Sequence, residues 1–455
     1  MSDISYEILD LFKKYGSSRQ GVEDALRADH RSQVLYALDE GRENLLEWVE
    51  FSGEDRILQM GSGYGALTGL LACRCKEVTV VEDLDENAQV NRQRNEGKGM
   101  IRFLRSLPLE EKGGFDWVIL CGPEKEKGLT DQLQALAPFL KEDGCLALAC
   151  ANGLGLPYLS GAPAPQEEGS FSLSQVKEAL LAAGLGYQEF YYPMPDYRLP
   201  TSIFSRRYLP GAGDLESPAV SWEEKRYACL DEGKVYGELL SEGAFGAFAP
   251  AFLVIASREK HLQKTVFAKY NRTRKPEFQI STKILEEDGR RFVVKEALKE
   301  EGIAHVRSME DKFRKLRETS GFARPLKPEI SGDGRQVRFS FLRGQTLDQQ
   351  LAERIGAGED AVSVVKEALE GVLGHPEEKE TAFLVTPAFE EVFGQAPELT
   401  GAASCQLTNL DGLFENVMET ENGPFLIDYE WVFDFPIPAG FIRWRLLHYF
   451  YTRHC

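Results

Sequence analysis

The residues best suited to do chemistry stand between Ile57 and Glu82. The run Ile57-Leu-Gln-Met-Gly61-Ser-Gly63-Tyr-Gly65-Ala66 leads an apolar strand-like segment straight into three alternate glycines, followed by a helical Leu67–Ala72. Glycine tolerates positive φ and lets backbone amides approach a ligand closely, so such a turn can hold a nucleotide-like cofactor at the carboxyl edge of a sheet. Twenty-one residues after Gly61, Glu82 closes the run Val78-Thr-Val-Val81, with Asp83 beside it. A carboxylate there can accept both hydrogens of a ribose diol. Strand, glycines, helix, strand and acid together predict an adenosine-cofactor site; a tight turn without a ligand is the alternative. Gly61-x-Gly63-x-x-Ala66 also satisfies the dinucleotide fingerprint, so an NAD-dependent oxidoreductase stays open. Three features favour S-adenosylmethionine: helices precede the first strand, Phe115-Asp116 opens the fourth, and an antiparallel pair closes the sheet.

A second constellation stands near the end of the chain. In Leu407-Thr-Asn-Leu-Asp411-Gly-Leu-Phe-Glu-Asn416 and Pro424-Phe-Leu-Ile-Asp428-Tyr-Glu430, an Asp is followed five residues later by Asn and twelve beyond that by a strand-ending Asp. This is the spacing of a protein-kinase-like catalytic loop, in which the first Asp orients an acceptor hydroxyl and the Asn and second Asp hold magnesium on ATP. Hard oxygen ligands such as Asn416 and Asp428 suit that ion. Upstream, Phe292-Val-Val-Lys295 reads as the third-strand lysine that meets the phosphates, with Glu310 in the next helix as its partner. No Gly-rich loop precedes Lys295, Asn409-Leu410 replaces the usual His-Arg, and 27 residues follow Asp428. These shortfalls predict a reduced domain, and turn-capping or nucleotide binding without turnover remains open. The basic cluster Lys269–Lys275 reads as a solvated hairpin tip.

The elements that must position these residues follow from hydrophobic period. Ile4, Ile8, Leu11, Phe12 and Tyr15 share one helical face, and residues 1–50 read as helices preceding the sheet. Ile57–Met60, Val78–Val81, Ile101–Leu104, Phe115–Leu120 and Cys145–Cys150 are short apolar runs alternating with helical segments, which predicts a parallel sheet covered on both faces. The aromatic run Tyr187–Tyr192 is expected to pair antiparallel with 248–257, leaving an insertion at about 198–247. The first domain then spans 51–260 and the second 261–455, within the two or three domains that 455 residues suggest.

Composition narrows the partners. With 53 Lys+Arg against 72 Asp+Glu the formal net charge is −19, which opposes binding to bulk nucleic acid or anionic lipid. No apolar run approaches the roughly 20 residues that span a bilayer, and MSDISYEILDLFKKYG lacks a signal peptide's apolar core, so a cytoplasmic protein is expected. The eight cysteines and six histidines are scattered, with no metal-site spacing.

Several blocks resemble a known family. The segment from Arg42-Glu-Asn-Leu-Leu through Gly69 resembles class I S-adenosylmethionine-dependent methyltransferases, in particular a bacterial group associated with cell-surface polysaccharide gene clusters. So do Ala151-Asn152-Gly-Leu-Gly155-Leu-Pro-Tyr158 with Gly161-Ala-Pro163, and Phe190-Tyr-Tyr-Pro193-Met-Pro195-Asp196-Tyr-Arg-Leu-Pro200. The resemblance covers about residues 40–258. It implies a Rossmann-like α/β methyltransferase sheet, mostly parallel with an antiparallel final strand, in which Gly61, Gly63 and Gly65 line the methionine and ribose of the cofactor. It further implies that Glu82 holds the ribose hydroxyls and that Cys121-Gly122-Pro123 borders the transfer site. The usual acid two positions before the first glycine is Gln59, a cofactor-side candidate that can bond the cofactor's amine or the loop only as a neutral partner. The acid before Asn152 is Ala151, and the Glu-Asp-His group after Gly-Ala-Pro is Ala164-Pro165-Gln166, with Glu167 and Glu168 displaced. Asn152, Tyr158 and Asp196, with Arg198, are the candidates for the acceptor side.

The second half resembles a smaller α+β kinase-like domain, with Phe339-Ser-Phe-Leu-Arg-Gly344-Gln-Thr-Leu347 similar to the hinge of aminoglycoside- and lipopolysaccharide-kinase-like proteins. The two resemblances together imply a methyltransferase acting on a hydroxyl-bearing glycan or glycan precursor, with an appended domain for Mg-ATP. A catalytically degenerate scaffold among glycan assembly enzymes is the alternative.

Overall fold

A computed structural model describes residues 4–163, 168–211, 214–215, 229–318, 322–373, 381–394 and 399–454. The stretch Ala164–Glu167, part of the insertion, and Cys455 lie outside the described residues. The chain forms two compact units, Met1–Arg272 and Thr273–Cys455.

The first unit begins with helices α1 (Ile4–Tyr15), α2 (Arg19–Ala28) and α3 (Ser32–Leu38). Ile8, Leu9 and Phe12 of α1 pack with Val22, Ala25 and Val34, each full burial of a Val, Leu, Ile or Phe side chain contributing about 1.5–3 kcal/mol. The α2 start is fixed by Ser18, whose side chain accepts from the Gly21 amide.

Then follow β1 (Arg56–Met60), α4 (Ala66–Arg74), β2 (Glu77–Val81), α5 (Asp85–Arg94), β3 (Ile101–Leu104), β4 (Phe115–Cys121), α6 (Leu129–Leu136) and β5 (Leu140–Ala151). These five strands pair in parallel in the order β3-β2-β1-β4-β5. β1, β4 and β5 are almost wholly buried, as strands covered on both faces must be.

After α7 (Leu156–Leu159) and α8 (Leu173–Ala182) come β6 (Tyr187–Met194), β7 (Ser202–Ser205), α9 (Glu232–Ser241), α10 (Phe245–Phe248), β8 (Ala251–Ser257) and β9 (Thr265–Tyr270). The expected antiparallel pairing of the aromatic strand with the 248–257 segment is present, Phe190 opposite Val254. β8 also lies antiparallel to β5, Leu148 opposite Val254, so it is inserted between β5 and β6. β7 folds back on β6, and β9 pairs with β7, Ile203 opposite Ala268. The boundary therefore falls after β9 and not near residue 260: Thr265–Tyr270 belongs to the first unit because its buried Val266, Ala268 and Tyr270 pack there.

The second unit holds the antiparallel strands β10 (Ile280–Glu287) and β11 (Arg290–Ala297), with Gln336–Ser340 on the other side of β11. Helix α11 (Ile303–Glu318) buries His305, Val306 and Met309. A hairpin of Val417–Thr420 and Gly423–Leu426 carries its Gly423 at φ 92°, and the closing helix Ala439–His454 buries Ile442, Leu446 and Phe450. Among the described residues no helix is long and apolar enough to cross a membrane, and no group of three or more metal-ligating side chains is found.

Candidate functional site

β1 sits between β2 and β4, so the turn that follows it opens at the middle of the parallel sheet's carboxyl edge. Gly61, Gly63 and Gly65 all have positive φ, at 61°, 48° and 80°. Their roles separate on what a side chain would meet. A Cβ on Gly61 or Gly63 meets nothing within 4 Å, so open space faces those two positions, whereas a Cβ on Gly65 would lie 2.5 Å from Asn91 Oδ1. The first two glycines leave room for a ligand; the third lets α4 pack against α5.

Behind the turn runs a neutral hydrogen-bond chain. Gln59 is buried, and its Oε1 accepts from the Thr68 hydroxyl at 2.8 Å. Asn91 Nδ2 donates to Thr68 Oγ1 at 2.9 Å, and Asn95 Nδ2 donates both to Asn91 Oδ1 at 2.7 Å and to the Gly65 carbonyl at 2.8 Å. Gln59 thus points into the helices that support the loop. Its uncharged side chain suits a fully buried position that an acid without a counter-ion would disfavour. The spacing of Asn91, in the last turn of α5, and Asn95, four residues on at its C-cap, is the signal by which sequence reasoning could have found the chain.

Glu82 stands just past the end of β2 and is 6% exposed. Its Oε2 accepts from both the Ser62 amide and the Ser62 hydroxyl at 2.9 Å, and its Oε1 takes only longer contacts, from Leu84 N at 3.3 Å and Asn87 Nδ2 at 3.5 Å. One carboxylate oxygen holds the glycine turn and the other retains acceptor capacity for a hydroxyl pair. Asp83 is exposed beyond it. Ser62 was not marked in the sequence, where it looks like a spacer between glycines.

A cavity of about 350 Å³ opens here, lined by Met60 and Gly61 at the end of β1, Leu120, Cys121 and Gly122 at the end of β4, and Leu136 of α6. Such a volume is of the size that small-molecule sites occupy. Burial pushes the Cys121 thiol up to about 12, so it is a neutral wall and not a nucleophile. Gly122 has φ 70°, and its Cβ would lie 2.7 Å from Glu168 Oε1. Glu168, displaced in sequence, therefore covers this turn, and the Tyr197 hydroxyl donates to it.

Arg94 of α5 ties the N-terminal helices to the loop. Its guanidinium donates to the carbonyls of Ala37 at 2.7 Å, Leu38 at 2.9 Å and Tyr64 at 3.3 Å, and burial lowers it to about 10.

The acceptor-side candidates are engaged in the fold. Asn152 is fully buried at the end of β5, where its Nδ2 donates to Ala247 O at 2.9 Å and Ala249 O at 2.7 Å and its Oδ1 accepts from Leu154 N at 3.0 Å. Asp196 caps the turn after β6, its Oδ1 accepting from the amides of Arg198 at 2.7 Å and Leu199 at 2.9 Å. Its Oδ2 pairs with Arg198 at 3.2 Å, and the Arg198 guanidinium lies over the Tyr36 ring. Tyr158 is half-exposed on α7.

In the second unit, Lys295 on β11 is buried and forms ion pairs with Asp428 Oδ1 at 2.7 Å and Glu430 Oε1 at 2.5 Å. Glu310 is not its partner. Met309 faces the core, and the next residue is turned about 100° onto the exposed side of α11, where Glu310 lies. Glu430 takes the place instead, and Arg274 pairs with its Oε2 at 2.6 Å while lying over the Trp431 ring. The 269–275 cluster is therefore no solvated tip: within the first unit Arg272 pairs with Glu43 and the Tyr270 hydroxyl donates to Glu47, while Arg274 is consumed by Glu430. Glu430 was legible as the residue two beyond Asp428 in extended chain, on the same side.

Asp411 Oδ2 accepts from the Trp431 amide at 2.8 Å, and Asn416 Nδ2 donates to the Asp411 carbonyl at 2.8 Å. Burial and then the Asp428 carboxylate push Asp411 up to about 7, while burial brings Lys312 down to about 8. Burial works against the Lys295 ammonium, but Asp428 and Glu430 more than offset it and hold it protonated.

The chain matches no protein-family model and no curated protein. Among solved structures it is similar to the YcgJ protein of Bacillus subtilis, at 16% identity and a TM-score of 0.29, over 48% of this chain and 99% of that one. It is also similar to a TehB-like S-adenosylmethionine-dependent methyltransferase from Corynebacterium glutamicum, at 13% identity and 0.28, over 48% and 88%. Phosphoethanolamine N-methyltransferase 1 of Haemonchus contortus, solved with phosphoethanolamine and S-adenosylhomocysteine, matches at 12% identity and 0.33, over 57% of this chain and 51% of that one.

Proposed function

We propose that the first unit is an S-adenosylmethionine-dependent methyltransferase. The observation that carries this reading is the join of three features at one sheet edge: the open Gly61–Gly63 turn, Glu82 hydrogen-bonded to Ser62, and the cavity between β1 and β4. The residues present fit the cofactor, since open space faces the two glycines and Glu82 Oε1 has acceptor capacity left for a ribose diol. The sulfonium, when bound, supplies the driving force for methyl transfer. The chain's own residues orient the partners and exclude water, and no general base is needed, which accords with Asn152 and Asp196 being spent on backbone. The NAD reading is disfavoured because the dinucleotide sheet runs 3-2-1-4-5-6, all parallel, whereas antiparallel β8 lies between β5 and β6 here.

The acceptor, on this reading, is a hydroxyl-bearing glycan or glycan precursor of surface-polysaccharide assembly; what supports it is the resemblance of residues 151–163 and 190–200. Calorimetry with S-adenosylmethionine, S-adenosylhomocysteine and NAD on wild type and Glu82→Ala tests the cofactor. Binding of NAD without either sulfur cofactor overturns the reading. Transfer of a labelled methyl group to glycan precursors tests the acceptor.

For the second unit, the convergence of Lys295, Asp428, Asp411 and Asn416 supports a reduced kinase-like nucleotide site. Asn416 and Asp428 would hold magnesium through oxygen and Lys295 would meet phosphate. Mg-ATP binding that Asp428→Ala abolishes is the expected result, and no binding leaves the unit a structural domain.

A further inference from the structure

A second cavity, of about 320 Å³, lies in the first unit against α8, the far end of β6 and the 243–247 turn. Its polar side chains are Lys177, Arg206 and Tyr192, its apolar walls include Leu173 and Leu209, and among the described residues no acidic one lines it. Neither the Lys177 ammonium nor the Arg206 guanidinium nor the Tyr192 hydroxyl makes a hydrogen bond or ion pair among the described residues. Lys177 has only the Phe190 ring, 5.7 Å away. Lys177 and Arg206 thus give this concavity a net positive lining, among the described residues, in a chain whose net charge is −19.

Tyr192 makes the site more than a basic surface. It is 3% exposed, its ring fixed against Phe245 and Phe252, and its hydroxyl lies 2.5 Å from where a Gly246 side chain would begin. The hydroxyl has no partner among the described residues and is not one of the fully buried polar atoms, so it faces the cavity, where it can donate to a ligand acceptor. Three donors thus reach the cavity from three elements: α8, β6 and the residue after β7.

We propose that this cavity binds the phosphate of a small phosphomonoester, whose two charges are matched by Lys177 and Arg206, whose third oxygen accepts from Tyr192, and whose carbon skeleton lies on Leu173 and Leu209. Three donors suit a dianion with three terminal oxygens better than a carboxylate with two, and charge-assisted bonds of this kind are the stronger sort. The proposal is independent of the methyltransferase reading, since it uses none of the residues lining the β1–β4 cavity.

Calorimetric titration of the full chain with inorganic phosphate tests it, with acetate and S-adenosylhomocysteine as comparison ligands. Saturable phosphate binding is expected, weakened at least about tenfold in Lys177→Gln/Arg206→Gln and severalfold in Tyr192→Phe. Affinity for S-adenosylhomocysteine should be unchanged in both variants. The double variant should melt close to wild type because, among the described residues, its two side chains have no hydrogen bond or ion pair to lose and Lys177 only a distant ring contact; should it fail to fold, Tyr192→Phe alone decides. Phosphate binding unaltered by the variants, acetate binding as tight as phosphate, or displacement of phosphate by S-adenosylhomocysteine would each overturn the assignment.

Discussion

Ser62 donates twice to one oxygen of Glu82, through its amide and its hydroxyl, each at 2.9 Å. The glycine turn after β1 is thereby tied to the end of β2 by a single carboxylate. Glu82→Ala should remove the tie and the diol acceptor together, lowering affinity for S-adenosylhomocysteine by at least about tenfold. Ser62→Ala breaks one bond and keeps the amide's, so a loss near 1 kcal/mol is expected. Calorimetry on both variants checks the order; equal losses would mean that Glu82 acts only through Ser62.

The three glycines should not be equivalent. Gly61→Ala adds a methyl to open space at positive φ, a strain of about 1–2 kcal/mol, and projects it toward the ligand. Gly65→Ala adds the same strain and drives Cβ onto Asn91 Oδ1, disturbing the Gln59–Thr68–Asn91–Asn95 chain. Thermal melts should show Gly65→Ala as the less stable protein, while cofactor titration should show Gly61→Ala losing affinity out of proportion to its stability.

Glu430 and Glu310 offer a contrast in one domain. Glu430→Gln leaves Lys295 and Arg274 without one of their anions in a buried setting, and breaking such a pair costs about 3–5 kcal/mol. Glu310→Gln, on the exposed face of α11, should stay within about 0.5 kcal/mol. Chemical denaturation curves for the two variants decide it, and a large effect at Glu310 would restore it as the partner of Lys295.

The second unit should also have a pH signature. Asp411 titrates near 7 when folded against an ordinary 3.8, so from about 4 to 7 the unfolded chain releases a proton that the folded chain keeps, and stability falls as pH rises. Lys312 titrates near 8 against 10.5, so from about 8 to 10.5 the unfolded chain holds the extra proton and stability rises. Melts across pH should flatten below 7 in Asp411→Asn and above 8 in Lys312→Gln; an unchanged profile in Asp411→Asn would refute the first half.

Much of the scaffold was legible because apolar runs of four to six residues alternating with helical segments leave few options other than buried strands. β1 to β5 and the β6–β8 pairing follow from that pattern alone. The domain boundary was less legible, since Thr265–Tyr270 reads as a strand of either half until its partner, β7, is known. Side-chain roles were the hardest. Gly61, Glu82 and Lys295 stand out by type and position, but nothing local distinguishes an Asn152 that holds backbone from one that faces a substrate. Glu310 looked right by order along the chain, and only helical phase, one residue past Met309, turns it to solvent.

Arg94 carries a consequence for how the first unit responds to a ligand. Its one guanidinium gathers carbonyls from the end of α3 and from Tyr64 inside the glycine turn, so neither segment can loosen without releasing the other. Occupancy of the turn should therefore slow amide hydrogen exchange in α3, a helix that lines none of the cofactor cavity, making the N-terminal segment a remote reporter of binding.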